Sequence, residues 1–236
     1  MNKIGILTFY KSVNYGSALQ AWALQHVLER NGYDVEIIEY TPEAYDHIYG
    51  LFVPPCNLKS IKYDIKRLLL ANAILRQKSF FKNFRDEYMN LSNEKYTKDS
   101  CLTSMVEKYD CVVCGSDQIW NFDCIKKMGY YYYLDWVTSL NVRKISYAVS
   151  FGKDAFELSD EVKKKVTGCL KGFSSISVRE KSGIDICQNM LGLKADYDLD
   201  PTLLLSADDY NSIVKLDMRK RKKILCSFIL DQSEEK

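Results

Sequence analysis

Short apolar runs alternate with longer stretches of helical period along most of the chain. Residues 3–9 form a run fit for a buried strand, and Asn14-Tyr15-Gly16-Ser17-Ala18-Leu19-Gln20 follows as a polar, glycine-containing turn that opens a helix. Residues 18–30 carry apolar side chains around most of the helical circumference. Leu19, Trp22, Ala23 and Val27 lie on one side, and Ala21, Leu24 and Leu28 on the other, so this helix should be covered on more than one side. Ser17, with Gln20 three residues on, matches a capping box and places the helix start near Ser17. Asn31-Gly32 ends the helix and residues 35–40 are the next strand, giving a β-α-β unit with parallel strands and a right-handed crossover.

The same alternation continues downstream. Residues 41–57, with three of the prolines, read as a loop, and residues 58–88 as a basic helical insertion in which Phe80, Phe81 and Phe84 recur near helical spacing. Residues 109–115, 144–152 and 175–180 read as strands, and residues 159–170 and 182–191 as helices. Strands alternating with helices predict an α/β fold built on an open, mostly parallel sheet covered on both faces. The pattern changes after Leu205. A short helix over 208–216, a basic run over 218–223 and a strand over 223–230 read as the start of a second, incomplete domain spanning 206–236, after a first domain spanning 1–205.

Composition narrows the classes without choosing among them. Of the 236 residues, 47% are apolar, enough for a sizeable core. Lys plus Arg is 33 against 31 for Asp plus Glu, a net charge of +2 that gives no reason to expect a nucleic-acid partner. The N-terminal residues lack a signal-peptide pattern and no apolar run approaches the roughly 20 residues of a membrane span. A cytoplasmic protein with reduced cysteines is expected.

Ligands of open α/β sheets bind beyond the carboxyl ends of the strands. Four polar turns fall at such ends: Asn14–Ser17, Ser116–Asn121, Ser150–Gly152 and Arg179–Lys181. Their convergence is a stronger signal than any one of them. Asp117 could accept a hydrogen bond from a sugar hydroxyl or act as a general base, or it could cap the turn that follows. Arg179 could pair with a phosphate or carboxylate, or form an ion pair with a neighbouring acid. Gly16, Gly115 and Gly152 fit tight turns. Asn14 and Tyr15 remain as ligand contacts of the first turn once Gly16 and Ser17 are assigned to its conformation. Cys111-x-x-Cys114 lies on a strand, where residues three apart face opposite ways, so core packing is expected and not a metal or redox pair. Neither His26 nor His47 is placed like a catalytic acid, and no Walker A or Gly-x-Gly-x-x-Gly pattern occurs.

These motifs resemble the polysaccharide pyruvyl transferases. The resemblance rests on residues 14–20, Gly115-Ser116-Asp117-Gln118-Ile119-Trp120-Asn121, Ser146-Tyr147-Ala148-Val149-Ser150-Phe151-Gly152, Ser177-Val178-Arg179-Glu180 and Asp200-Pro201-Thr202-Leu203-Leu204-Leu205, in the family's order. It implies a Rossmann-like sheet forming the N-terminal half of a GT-B-like two-domain fold, with a helical insertion at about 58–90. It implies transfer of a pyruvyl group from phosphoenolpyruvate to two hydroxyls of a sugar as a cyclic ketal, with no cofactor and no metal. Asp117 and Arg179 would be the catalytic residues. Asn14, Tyr15, Gly16, Ser17, Ser116, Gln118, Trp120, Asn121, Ser150, Phe151 and Gly152 would line the substrate site. The expected partners are phosphoenolpyruvate, a glycan acceptor, and a second copy of the chain or a complementing C-terminal chain. Family members are usually longer, with a C-terminal histidine acid and further cations that this sequence does not match. Two alternatives stand beside the enzyme: a non-catalytic glycan-binding half, and a GT-B glycosyltransferase.

Overall fold

The apolar runs become the strands of a single sheet in the computed structural model, which describes residues 2–41, 70–97, 105–123, 129–154 and 158–214. The strands are β1 (Lys3–Leu7), β2 (Asp34–Ile37), β3 (Cys111–Asp117), β4 (Arg143–Val149), β5 (Ser177–Val178) and β6 (Asp196–Tyr197), in the order β2-β1-β3-β4-β5-β6. Every pairing is parallel, as the alternating pattern predicted. Helix α1 (Tyr15–Arg30) joins β1 to β2, α2 (Ala71–Tyr88) precedes β3, and α3 (Asp160–Leu170) joins β4 to β5. Between β5 and β6, α4 (Lys181–Asp185) runs into a π-helical turn over Ile186–Met190.

The strand order reverses between β1 and β3. The chain leaves β1 for β2 on one side and returns to lay β3 on the other, which opens a crevice beyond the carboxyl ends of these two strands. The fold therefore marks one place on the sheet edge before any side chain is considered.

Alternation along the strands divides the core into two layers. Val112 and Cys114 of β3 join a cluster with Leu7, Trp120, Tyr133, Phe151 and, from α3, Val166 and Leu170. Ile4, Ile6, Cys111 and Val113 are buried outside that cluster, on the opposite face. Helix α1 packs against β2 and β3 and also against the 3-10 turn Pro201–Leu204. Its residues from Gln20 to Gln25 are all buried, which explains why its apolar residues go nearly all the way round. Ile6 and Ile37 are fully enclosed, and burial of such a side chain contributes about 1.5–3 kcal/mol.

Cys111 and Cys114 take up the core positions expected of them. Burial pushes the Cys111 thiol up to about 11 and the Cys114 thiol further, so neither is a ready nucleophile. Contacts divide the chain into Met1–Leu205 and Ser206–Lys236. In the second unit, α5 (Ala207–Ile213) opens with a reciprocal cap between Ser206 and Asp209. The basic run at 218–223, the strand read at 223–230 and residues 58–69 of the basic insertion lie outside the described residues, as does His47.

Candidate functional site at the β1–β3 edge

The first turn is built differently from the capping box read in the sequence. Helix α1 begins at Tyr15, and Asn14 is its cap, with the side-chain Oδ1 accepting from the Ser17 amide at 3.1 Å. The Ser17 hydroxyl, freed from capping, donates across the crevice to Asp117 Oδ2 at 2.5 Å. A carboxylate is the stronger acceptor, so the distant partner wins over the local one. Gln20 does not reach back to the cap either. Its Nε2 donates to Thr8 Oγ1 and to the Ser17 carbonyl, both at 3.0 Å, and Thr8 Oγ1 donates in turn to the Ser116 carbonyl at 3.0 Å. The ends of β1, α1 and β3 are thereby stitched together by short, buried side chains.

The end of β3 carries unusual backbone. Gly115 has φ +130°, and a Cβ there would lie 2.1 Å from the Tyr147 carbonyl oxygen, so only glycine fits. Two residues on, Asp117 adopts φ +80°, a conformation uncommon for residues with a side chain and one that gathers at functional sites. It is held by several groups at once. Oδ1 accepts from the Gln118 amide at 2.8 Å, Oδ2 accepts from Ser17, and the carbonyl accepts from the Ser150 amide at 2.9 Å.

Arg179 closes the constellation from β5. Nη1 donates to Asp200 Oδ2 at 2.7 Å, Nε donates to Glu180 Oε1 at 3.1 Å, and Nη2 lies 3.8 Å from Asp117 Oδ1. Nη1 also lies 3.4 Å from Ser116 Oγ, which donates to the Ala148 carbonyl at 2.8 Å. Thr202 donates to Asp200 Oδ1 through both its amide and its hydroxyl. Burial alone would lower the Arg179 pKa. The hydrogen bond to Glu180 and the charges of Glu180 and Asp117 outweigh that and raise it, so the guanidinium stays charged. One cation thus meets three carboxylates, those of Asp117, Glu180 and Asp200.

The four polar turns do converge, but their residues divide by accessibility. Asn14, Tyr15, Gly16, Gln118 and Gly152 are exposed, and Asp117, Asn121 and Arg179 are half-buried. Gln118 and Asn121 both reach toward Gly152, where a Cβ would meet Gln118 Oε1 at 2.7 Å and Asn121 Nδ2 at 2.9 Å. Beside them is a hollow of about 230 Å³, lined by Gln118, Ser150, Phe151, Gly152, Glu180 and Ser182 among others. Ser116 and Ser150 are buried and bonded within the protein.

Trp120, expected among the substrate contacts, is a core residue. It is fully buried, its indole N–H donates to the Tyr132 carbonyl at 3.0 Å, and its ring stacks on Tyr133 at 5.5 Å. Phe151 packs against Trp120 and Phe122 with only 1% of its surface exposed, so it supports the hollow from behind. Sequence reasoning assigned no individual role to Asp200, Glu180 or Thr8, and gave Gln20 only a capping role. Asp200 and Glu180 follow the ends of β6 and β5, and that position was the signal available. His26 stacks on Trp22 within α1, at 5.2 Å and 18°.

No helix among the described residues is long and apolar enough to cross a membrane. Nor do the described residues hold a group of three or more His, Cys, Asp or Glu able to bind a metal. A search of curated proteins and a search of solved structures each returned no match. The family model described as "Polysaccharide pyruvyl transferase" matches residues 14–235, from the cap of α1 onward and through all four turns of the site. The chain therefore belongs to the polysaccharide pyruvyl transferase family.

Proposed function

We propose that this chain takes part in transfer of a pyruvyl group from phosphoenolpyruvate to two hydroxyls of a polysaccharide sugar, and that the β1–β3 edge is its acceptor site. The observation that carries this reading is Asp117, held at positive φ at the switch point by Ser17, the Gln118 amide and Arg179. A carboxylate fixed from several sides and still half-buried suits a base that meets a sugar hydroxyl.

The chemistry balances as an addition followed by a displacement. An acid protonates the enol methylene to a methyl group while one sugar hydroxyl attacks the adjacent carbon and gives its proton to Asp117. The C–O bond to phosphate then breaks, and the second hydroxyl closes the ketal, its proton leaving with the phosphate. One phosphoenolpyruvate and one diol become one ketal and one phosphate. The donor carries a carboxylate and a phosphate, which need cations.

Arg179 suits a different task from the donor-anion role inferred from the sequence. Its polar contacts are to Asp117, Glu180, Asp200 and Ser116, and a donor anion would have to displace a carboxylate to reach it. Arg179 is best read as a positioning residue that orients Asp117. The same saturation favours, as a second reading, a half that binds glycan without catalysing transfer.

Incubating the full chain with phosphoenolpyruvate and a panel of neutral glycans, and assaying inorganic phosphate, tests the enzyme reading. Acceptor-dependent phosphate release together with ketal-bearing product is the expected result. Glycan binding with no release for any acceptor would favour the second reading.

A further inference from the structure

Gln20 is a glutamine on the buried stretch of α1, where packing alone would favour an apolar side chain. It is 2% exposed, and its Oε1 has no hydrogen-bond partner among the described residues. An acceptor left unpaired in the interior is costly, so the other end of this amide has to account for its presence.

That other end has a fixed direction. The Ser17 carbonyl can only accept, so the Gln20 atom 3.0 Å from it is the amide nitrogen, Nε2. The second proton of Nε2 goes to Thr8 Oγ1 at 3.0 Å. Thr8 has a single hydroxyl proton, which it gives to the Ser116 carbonyl at 3.0 Å. Thr8 and Ser116 are as deeply buried as Gln20, so water does not compete for these bonds.

Two arms therefore leave one amide and meet at one residue. The first runs through Ser17, whose hydroxyl donates to Asp117 Oδ2. The second runs through Thr8 to the carbonyl of Ser116, the residue that precedes Asp117 in β3. Gln20, Ser17, Asp117, Ser116 and Thr8 thus close a ring of contacts drawn from α1, the end of β3 and the residue that follows β1. The Ser17 arm sets the carboxylate, and the Thr8 arm sets the backbone that leads into φ +80° at Asp117. A residue in that conformation stays there only where its surroundings over-determine it. An apolar side chain at position 20 could fill the space but could hold neither arm.

We infer that Gln20 and Thr8 are positioning residues that hold Asp117 in its working geometry from beneath the site, without touching substrate. The inference rests on the reading of Asp117 as the base, but the hold on Asp117 is also measurable without turnover.

The test uses the full chain and the variants Gln20→Met, Thr8→Val and Thr8→Ser. Phosphate release gives kcat and the KM for phosphoenolpyruvate and for acceptor, and hydrogen exchange followed by NMR reads two backbone amides. The Gln118 amide donates to Asp117 Oδ1 and the Ser150 amide to the Asp117 carbonyl, so both report on its conformation. Gln20→Met and Thr8→Val should each lower kcat by about tenfold or more, with both KM values within about twofold of the parent. Exchange at Gln118 and Ser150 should quicken by about tenfold or more, while Val113, deeper in β3, keeps its parental rate. Thr8→Ser retains the hydroxyl and should bring kcat back to within about threefold. Gln20→Met buries no new polar group and keeps the test decisive should Thr8→Val fail to fold. Parental exchange at both amides overturns the inference, as does quickened exchange with parental kcat. With phosphate release intact, either result leaves the transferase reading in place. If the parent chain releases no phosphate with any acceptor yet exchange quickens at the two amides, the transferase reading fails and the hold on Asp117 stands.

Discussion

The two ends of the sheet offer opposite kinds of cavity. At the amino end of β4, a cleft of about 1000 Å³ runs beside α3, lined by Asp135, Arg143, Lys144, Glu161, Lys164 and Lys165 among others. At the carboxyl end, the hollow beside Gly152 is about 230 Å³. Size alone would favour the larger one. Its polar groups, however, sit on long side chains with loose contacts: Lys165 lies 3.8 Å from Asp135, and Lys144 lies 5.7 Å from the centre of the Phe173 ring. Exposed pairs of this kind contribute little and can rearrange. At the carboxyl end, Ser17, Ser116, Asp117 and Arg179 come from α1, β3 and the end of β5, three separate elements, and interlock at fixed distances. Convergence of short, held groups is what chemistry needs, and volume does not supply it.

The contrast is broken most directly by activity. Asp117→Asn keeps the shape and removes the proposed base, so kcat for phosphate release should fall by about 10²–10⁴-fold. Lys164→Ala in the cleft should leave it within about twofold. Equal losses in the two variants would mean that the ends had been ranked the wrong way round.

Stability sharpens the same contrast. Gly115→Ala forces a side chain at φ +130° to within 2.1 Å of a backbone oxygen that β4 holds in place. Strain and overpacking together should cost about 3 kcal/mol or more, read as a lower midpoint in chemical denaturation. Asn14→Ala removes the α1 cap and should cost about 1 kcal/mol by the same measurement. A loss well under this would show that Ser17 can resume the cap and release Asp117.

That last exchange shows what was legible in the sequence and what was not. The strands β1, β3 and β4, the crossover helix α1 and the parallel sheet followed from run length, period and glycine punctuation. The start of α1 was displaced because the partner of Ser17 lies 100 residues away, at the end of β3. A local motif cannot register an acceptor that only the strand order brings near. Trp120 failed for a related reason: an aromatic residue after a strand suits a sugar platform and a core equally, and only the stacking of Tyr133 behind it decides. Glu180 and Asp200 become partners of Arg179 through the β4-β5-β6 order, so their role was visible in position but not in residue type.

The smallest effect tests the cleft itself. Gly168 lies on the exposed side of α3, two residues before its final residue Leu170 and beside the cleft, and nothing stands within 4 Å of where its Cβ would be. Glycine inside a helix gives up backbone entropy on folding that alanine does not. Gly168→Ala should therefore stabilise the protein by about 0.5–1 kcal/mol without changing phosphate release. A site shaped for a ligand commonly keeps a glycine where backbone and ligand approach, and filling that gap would then trade stability against function. A stabilised variant with unchanged turnover would mean that the cleft is space left between packed elements. A stabilised variant with altered turnover would give this end of the sheet a part in the reaction and remove the asymmetry between the two ends.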